Sequence, residues 1–94
     1  MKKGHQVEIE KKAIKELEKL SKKQKILILN WIETNLLGCS NPQAVANGTN
    51  LEGIKNGWRW RVGALRILAT IEDDIIKIRI FRIGHRREVY RKLR

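Results

Sequence analysis

The sequence contains one cysteine, one proline and few aromatic residues, which make up 5% of its 94 positions. Cys39 can form no internal disulfide, and no CxxC or His/Cys spacing indicates a metal site. No apolar run approaches the length that spans a membrane, and polar and charged residues follow the first lysines where a signal peptide would be apolar. We therefore expect a protein of the cytoplasm.

Motifs of several common enzyme classes are also missing. The chain has no Walker-type phosphate loop, no Gly-rich dinucleotide turn and no Ser/His/Asp arrangement. Asp73 and Asp74 are adjacent, and a surface turn explains such a pair better than a two-metal clamp does. We therefore expect neither a metal ion nor any other cofactor.

Arginine is absent from the first 57 residues, which carry ten of the twelve lysines, and all nine arginines follow. The net charge of +11 divides into +4 for residues 1–57 (ten Lys less six Glu) and +7 for residues 58–94 (eleven Lys and Arg less four Asp and Glu). A guanidinium group grips phosphate with two parallel hydrogen bonds, whereas lysine is a hydrated point charge. The second half is therefore expected to face nucleic acid or an acidic protein.

Length and patterning predict a single domain over residues 1–94, with 41% hydrophobic residues and clear periodicity arguing against disorder. The second helix is expected to bury one apolar stripe, and its members are Ile26, Leu29, Ile32 and Leu36, widened by Ile28 and Trp31. The predicted elements are a strand over 5–10, helices over 11–20 and 22–37, a loop over 39–57, and strands over 58–62, 65–72 and 75–83.

These elements predict an α+β fold in which a helical hairpin packs on a four-stranded antiparallel sheet, in the order β-α-α-β-β-β. Turns at residues 63–64 and 73–74 make the last three strands a meander. Alternation along residues 58–62 sends the arginines to one face of the sheet, so we expect an arginine-rich concave face opposite the helices. Arg82 breaks the alternation of its strand, which indicates that the strand emerges from the core or bulges there. An ordinary solvated outer face is the alternative explanation of the alternating charges.

The residues best suited to chemistry are the arginines together with His85 and Tyr90. Such a set suits metal-free cleavage of RNA, because the ribose 2′-hydroxyl of the substrate is itself the nucleophile. The protein must then orient the RNA, move two protons and stabilise a crowded phosphate, and guanidinium groups can supply the charge stabilisation.

Three short motifs occur in a fixed order in the second half of the chain. Residues 57–67 read GWRWRVGALRI, residues 51–53 before them read LEG, and residues 84–90 read GHRREVY. They look like the G-x-x-R-x-R-x-G-x-x-R core, the L-x-G turn and the closing G-x-R-x-E-V-Y of the RelE/ParE superfamily of bacterial toxins. In this chain one residue, not two, separates Gly57 from Arg59. The predicted order of elements is also that of this superfamily, so the resemblance covers nearly the whole chain.

The resemblance implies roles for individual arginines. In the RelE branch, basic side chains at the positions of Arg59 and Arg61 bind and orient RNA phosphates. Arg66 would lie on the scissile phosphate. Arg86, or Arg87 in its place, resembles the second arginine that stabilises the phosphate.

The resemblance also implies which groups move protons. Tyr90 resembles the residue that stacks on the substrate or deprotonates the 2′-hydroxyl. His85 stands where several relatives have a basic or titrating residue, and an imidazole suits proton transfer at neutral pH better than a phenol does. The base is therefore His85 or Tyr90, while Arg87 and Lys55 are expected to add RNA contacts.

The function implied by the RelE branch is a toxin of a type II toxin–antitoxin system that cleaves mRNA in the ribosomal A site, beside 16S rRNA. Its partners would be mRNA, the ribosome and an acidic cognate antitoxin. A gyrase-inhibiting toxin of the ParE branch and a non-catalytic RNA-binding relative are the alternatives. A titrating group among the arginines favours the nuclease, since binding alone needs none. Codon preference and oligomeric state stay open.

Overall fold

The protein is described by a computed structural model over residues 4–91, so the terminal cations Lys2, Lys3, Lys92 and Arg94 lie outside the described residues. The described residues form one sheet, two longer helices and a short third helix. Two 3-10 turns, Pro42–Ala44 and Asp73–Ile75, complete the fold. The elements are β1 (Gln6–Ile9), α1 (Lys11–Glu18), α2 (Lys22–Asn35), β2 (Gly48–Asn50), β3 (Gly57–Val62), β4 (Leu65–Glu72), β5 (Lys77–His85) and α3 (Arg86–Arg91).

The predicted α+β fold and its antiparallel meander of β3, β4 and β5 are confirmed. The sheet has five strands in the order β1-β5-β4-β3-β2, one more than the sequence predicted, and β1 pairs in parallel with β5. The additional strand, β2, lies in a segment predicted to be a loop because it is rich in Asn and Gly. It can pair with β3 because Gly48 has no side chain: a Cβ there would lie 2.5 Å from Nε1 of Trp58.

The helices cover one face of the sheet, but the buried stripe of α2 differs from the predicted one. Ile28, Ile32 and Leu36 are buried at a spacing of four residues, whereas Ile26 and Leu29 are 50% and 43% exposed. The row with Ile28 and Ile32 and the row with Ile26 and Leu29 are both apolar, and the sheet can cover only one side of the helix. On β3, Trp60 is fully buried, and its ring lies 6.0 Å from that of Trp31.

The opposite face of the sheet carries the arginines that alternation predicted, but it also holds an apolar cluster. Leu68 of β4 forms a second apolar cluster there with Leu51 and Val89, and Phe81 and Tyr90 pack at its border. Val89 and Tyr90 belong to α3, which therefore covers part of this face. This helix was not predicted from the sequence, because it has only six residues and one fully buried side chain. The arginines are consequently concentrated beside α3 and β2.

Cys39 lies just beyond α2, where it packs against the main core as a small apolar side chain. Burial raises the pKa of the Cys39 thiol, and its own backbone opposes this shift. Its carbonyl oxygen accepts hydrogen bonds from the backbone nitrogen and Nδ1 of His5, at 2.8 and 3.0 Å. This segment therefore anchors the start of β1.

The predicted irregularity at Arg82 is confirmed as a bulge in β5. Leu68 pairs with Arg82 and the next residue of β4 pairs with Ile80, so the residue between them, Phe81, has no partner. Beyond Ile80 the edge of β5 is no longer covered by β1. The bulge thus lies where the strand leaves the protection of its parallel neighbour.

Glu16 of α1 occupies this open edge. Its carboxylate accepts a hydrogen bond from the backbone nitrogen of Ile83 at 2.9 Å and one from Nε of Arg82 at 2.8 Å. Arg82 is 6% exposed, and its Nη2 donates to the carbonyl oxygen of Glu88 at 3.2 Å. One buried guanidinium therefore connects α1, the strand β5 and α3.

Replacing Glu16 with alanine is expected to lower the free energy of unfolding by about 3 kcal/mol, because it leaves a buried guanidinium without its carboxylate. Glu18, exposed on the same helix, is the matched control, and Glu18→Ala should change stability by less than ~0.5 kcal/mol. Urea unfolding followed by tryptophan fluorescence measures both. Equal stability of the two variants would show that the Glu16–Arg82 pair contributes little.

Candidate functional site

Two adjoining clefts contain most of the residues singled out in the sequence. The first, of about 240 Å³, is called the Tyr90 cleft here, and the second, of about 510 Å³, the His85 cleft. Arg66 and Arg86 line both. The Tyr90 cleft is completed by Asn47, Thr49, Arg59, Arg61 and Tyr90, and the His85 cleft by Gly63, Ala64, His85, Arg87, Glu88 and Arg91.

Arg59 and Arg61 lie on β3 with their side chains on the face away from the helices, as the alternation predicted. Nη1 of Arg59 donates a hydrogen bond to the Tyr90 hydroxyl at 2.8 Å, and its Cζ lies 5.5 Å from the ring centroid. Arg61 is exposed, and its Nη2 donates to Oδ1 of Asn47 at 3.4 Å. The first guanidinium thus contacts a catalytic candidate, while the second faces solvent.

Arg66 is the most buried arginine of the two clefts, with 9% of its surface exposed. Its Nη1 donates to the carbonyl oxygens of Gly63 at 3.1 Å and Leu65 at 2.9 Å. Gly63 has a φ of 61°, which the tight turn between β3 and β4 requires and which glycine adopts without strain. Within residues 4–91 no hydrogen bond engages the other nitrogens of Arg66, so they are available to a ligand.

Pairing between β3 and β4 brings two of these cations together. Arg61 lies directly opposite Arg66 in the antiparallel register. Like charges in such a pair repel each other. The described residues that line the Tyr90 cleft include four arginines and no acidic residue. An anion bound between the guanidinium groups would remove that repulsion.

The short helix α3 carries the other site residues and separates them by helical phase. Arg86 and Tyr90 are four residues apart, so they share a face of the helix and line the Tyr90 cleft together. Arg87 belongs to the neighbouring face and lines only the His85 cleft. The sequence left the choice between Arg86 and Arg87 open, and the structure brings Arg86 to Tyr90.

His85 is the last residue of β5 and is exposed. It lines the His85 cleft beside Arg66 and Arg86 and is not among the residues that line the Tyr90 cleft. The two proton-transfer candidates therefore lie in different clefts that share the same two arginines. Lys55 is exposed in the loop before β3 and lines neither cleft.

Asn47 and Thr49 line the Tyr90 cleft, although the sequence pattern predicted only a loop over 39–57. Asn47 has a φ of 69°, and its carbonyl oxygen accepts the backbone N–H of Arg61 at 3.0 Å. Thr49 pairs with Arg59 across β2 and β3. The available signal was the polar run NGTN in residues 47–50, but it identifies a site only once its pairing with β3 is known.

Two kinds of feature are absent from the described residues, a cluster of metal ligands and a membrane-spanning helix. The described part of the chain contains no group of three His, Cys, Asp or Glu residues placed to hold a metal ion. Among residues 4–91, no helix is both long enough and apolar enough to cross a membrane.

The fold is similar to that of solved RelE toxins. The toxin of the Mycobacterium tuberculosis RelBE2 complex has a TM-score of 0.73 at 21% identity, covering 88% of this chain and 99% of that one. A RelE from Pyrococcus horikoshii, solved with RelB, has a TM-score of 0.70 at 22% identity, with coverages of 87% and 94%. A mutant Escherichia coli RelE in the free state has a TM-score of 0.71 at 20% identity, with coverages of 93% and 90%.

No curated protein sequence is significantly similar to this chain. The family model described as the ParE toxin of the type II toxin–antitoxin system parDE matches residues 7–90, which include every element except the first residue of β1 and the last of α3. The resemblance inferred from the three motifs is thereby confirmed. The chain belongs to the ParE toxin family, within the RelE/ParE superfamily of type II toxin–antitoxin toxins.

Proposed function

We propose that this toxin is an endoribonuclease that cleaves ribosome-bound mRNA without a metal ion. The observation that carries the proposal is the Tyr90 cleft, whose described lining residues include four arginines, one phenol and no acidic residue. Guanidinium groups are suited to phosphate, and fixed cations stabilise charge that develops in a transition state. A protein that only binds a partner through its arginines would need no phenol and no imidazole beside them.

In the proposed reaction, the scissile phosphate lies against Arg66 and Arg86, the two arginines shared by both clefts. The 2′-oxygen forms a bond to phosphorus while the bond from phosphorus to the 5′-oxygen breaks, which leaves a 2′,3′-cyclic phosphate. One group must accept the 2′-hydroxyl proton and another must give a proton to the leaving 5′-oxygen. Tyr90 and His85, in separate clefts on the shared arginines, are suited to these two tasks.

The RNA contacts of the proposal extend along β3 and α3. Arg61 is exposed at the mouth of the Tyr90 cleft, and Arg87 and Arg91 add positive charge in the His85 cleft. Lys55, exposed outside both clefts, would contact RNA or the 16S rRNA of the ribosome only at the periphery. The ribosome and mRNA place the proposed activity in the cytoplasm.

A gyrase-inhibiting function is the second candidate, because the matching family model describes ParE toxins. The decisive experiment offers the purified toxin both targets. We expect cleavage of ribosome-bound mRNA, unaffected by EDTA once ribosome integrity is controlled, with a 2′,3′-cyclic phosphate or its 3′-phosphate product. Intact mRNA together with blocked supercoiling by DNA gyrase would replace the nuclease with the gyrase inhibitor. Intact mRNA and unaffected gyrase would favour a non-catalytic relative.

We also propose an acidic cognate antitoxin as partner. The similar toxins from M. tuberculosis and P. horikoshii were solved in toxin–antitoxin complexes, and the net charge of +11 here favours an acidic surface. An antitoxin segment that lies across the arginine clefts should bind tightly, with an association rate that falls steeply as salt is raised. Stopped-flow mixing with the acidic protein encoded beside the toxin measures this rate. An association rate independent of salt would contradict electrostatic docking.

A further inference from the structure

Arg59 differs from the other arginines of the Tyr90 cleft because a catalytic candidate already engages its guanidinium. Nη1 donates to the Tyr90 hydroxyl at 2.8 Å, and Cζ lies 5.5 Å from the centroid of the same ring. One side chain therefore contacts both the oxygen and the aromatic ring of Tyr90, through a charge-assisted hydrogen bond and a cation–π contact. Within residues 4–91, the guanidinium of Arg61, two residues along the same face of β3, donates one hydrogen bond, to Oδ1 of Asn47 at 3.4 Å.

We propose that Arg59 is a positioning residue that fixes Tyr90 in the cleft, while Arg61 is the residue of β3 that contacts RNA phosphate. This inference rests on the proposed nuclease function for its consequence in catalysis. It changes the role that the family resemblance implies for Arg59, which was phosphate binding.

The location of Tyr90 explains why such a contact is needed. It lies near the end of α3, a helix of six residues, and a helix that short is not stable by itself. Val89 is buried in the second cluster, Tyr90 packs at the border of that cluster, and Arg82 donates to the carbonyl oxygen of Glu88. Within residues 4–91, the only hydrogen bond that reaches the side chain of Tyr90 is the one from Arg59. The half-buried ring is therefore held from the cleft side by Arg59.

The hydrogen bond from Arg59 also determines what the Tyr90 hydroxyl can do. A phenol oxygen can donate one hydrogen and accept others. Because the guanidinium is a donor only, it occupies an acceptor site on the oxygen and leaves the phenolic hydrogen free to point elsewhere. That hydrogen can donate to a substrate oxygen bound in the cleft, which Arg61, Arg66 and Arg86 also line.

The first test needs no RNA, because Tyr90 is the only tyrosine in the chain. Tyrosine labelled with ¹³C at Cζ then gives a single NMR resonance that reports on this ring alone. Arg59→Met keeps most of the side-chain length but removes the donors, so we expect the resonance to move and broaden. Arg61→Met, the matched control on the same strand face, should leave it in place. An unchanged resonance in Arg59→Met would overturn the proposal.

The second test is a double-mutant cycle on mRNA cleavage. If Arg59 acts through the hydroxyl, Arg59→Met should lower kcat as Tyr90→Phe does, with KM nearly unchanged. Adding Arg59→Met to Tyr90→Phe should then cost less than about 2-fold more, since residues that act as a unit are not additive. Arg61→Met should instead raise KM and reduce the salt slope of RNA binding by about one. If the fold-loss in kcat of the double variant equals the product of the two single losses, the proposal is overturned.

The two tests separate this inference from the proposed function. A wild-type protein that cleaves no RNA rejects the nuclease, while the tyrosine resonance still decides whether Arg59 holds Tyr90. Thermal unfolding of each variant distinguishes a displaced ring from a damaged fold. We expect Arg59→Met to unfold within a few degrees of the wild type, because Arg59 is only half-buried and borders the second cluster rather than forming it.

Discussion

Replacing Arg66 with alanine is expected to lower the rate of mRNA cleavage by about 10²–10³-fold, the usual cost of removing one preorganised donor from a developing charge. Arg66 is 9% exposed, and two backbone carbonyls already fix its guanidinium. It therefore needs little reorganisation when the phosphate gains charge. Among the described residues, only Arg66 and Arg86 line both clefts.

The matched control for this change is Arg79, which lies on β5 outside both clefts. Its guanidinium is paired with Glu8 and Glu72 at 3.5 and 3.7 Å, so Arg79→Ala removes the same charge without touching the site. Single-turnover cleavage on programmed ribosomes measures both variants, and circular dichroism confirms that each is folded. Cleavage by a folded Arg66→Ala protein within about 3-fold of the control would exclude Arg66 from charge stabilisation.

The sheet meander was predictable because its signals are local. β4 was predicted with its observed bounds, Leu65–Glu72, since two turns with distinct chemistry enclose an apolar run. The turn before it depends on one glycine with positive φ, and Arg82 marked the bulge by interrupting the alternation of its strand. In each case, the information lies within a few residues of the feature.

The unpredicted parts depend on contacts between distant segments. β2 becomes a strand only because Gly48 fits against the two tryptophans of β3, and its own composition is that of a loop. The parallel pairing of β1 with β5 joins residues about seventy positions apart. The helix α2 has two rows of similar hydrophobicity, and packing against the sheet determines which of them is buried.

The candidate site was predictable in membership but not in arrangement. The motifs placed five residues of the Tyr90 cleft, Arg59, Arg61, Arg66, Arg86 and Tyr90, in one group. Whether Arg86 or Arg87 accompanies Tyr90 depends on the phase of α3, and the sequence did not predict that helix. The bond from Arg59 to Tyr90 joins β3 to α3 across 31 positions, so strand alternation alone could not distinguish it from a phosphate ligand.

The location of His85 and Tyr90 in separate clefts predicts different effects when each is replaced. Tyr90→Phe keeps the ring and removes only the hydroxyl, and His85→Gln keeps hydrogen bonding but removes the titrating imidazole. The variant that lacks the true base should lose about 10²–10⁴-fold in cleavage rate. The other variant should lose much less if its residue only positions the RNA, or a comparable factor if it is the acid that serves the leaving oxygen.

The pH dependence of cleavage distinguishes the base from the acid. In the wild type, the rate should fall at low pH as the base becomes protonated and at high pH as the acid loses its proton. Removing the base should abolish the fall on the acidic side, whereas removing the acid should abolish the fall on the alkaline side. We expect Tyr90→Phe and His85→Gln to change opposite sides of the profile, because the shared pair Arg66 and Arg86 lies in both clefts and each candidate in only one. Single-turnover rates on programmed ribosomes across the pH range measure this, and a profile unchanged in shape in both variants would show that neither residue transfers a proton.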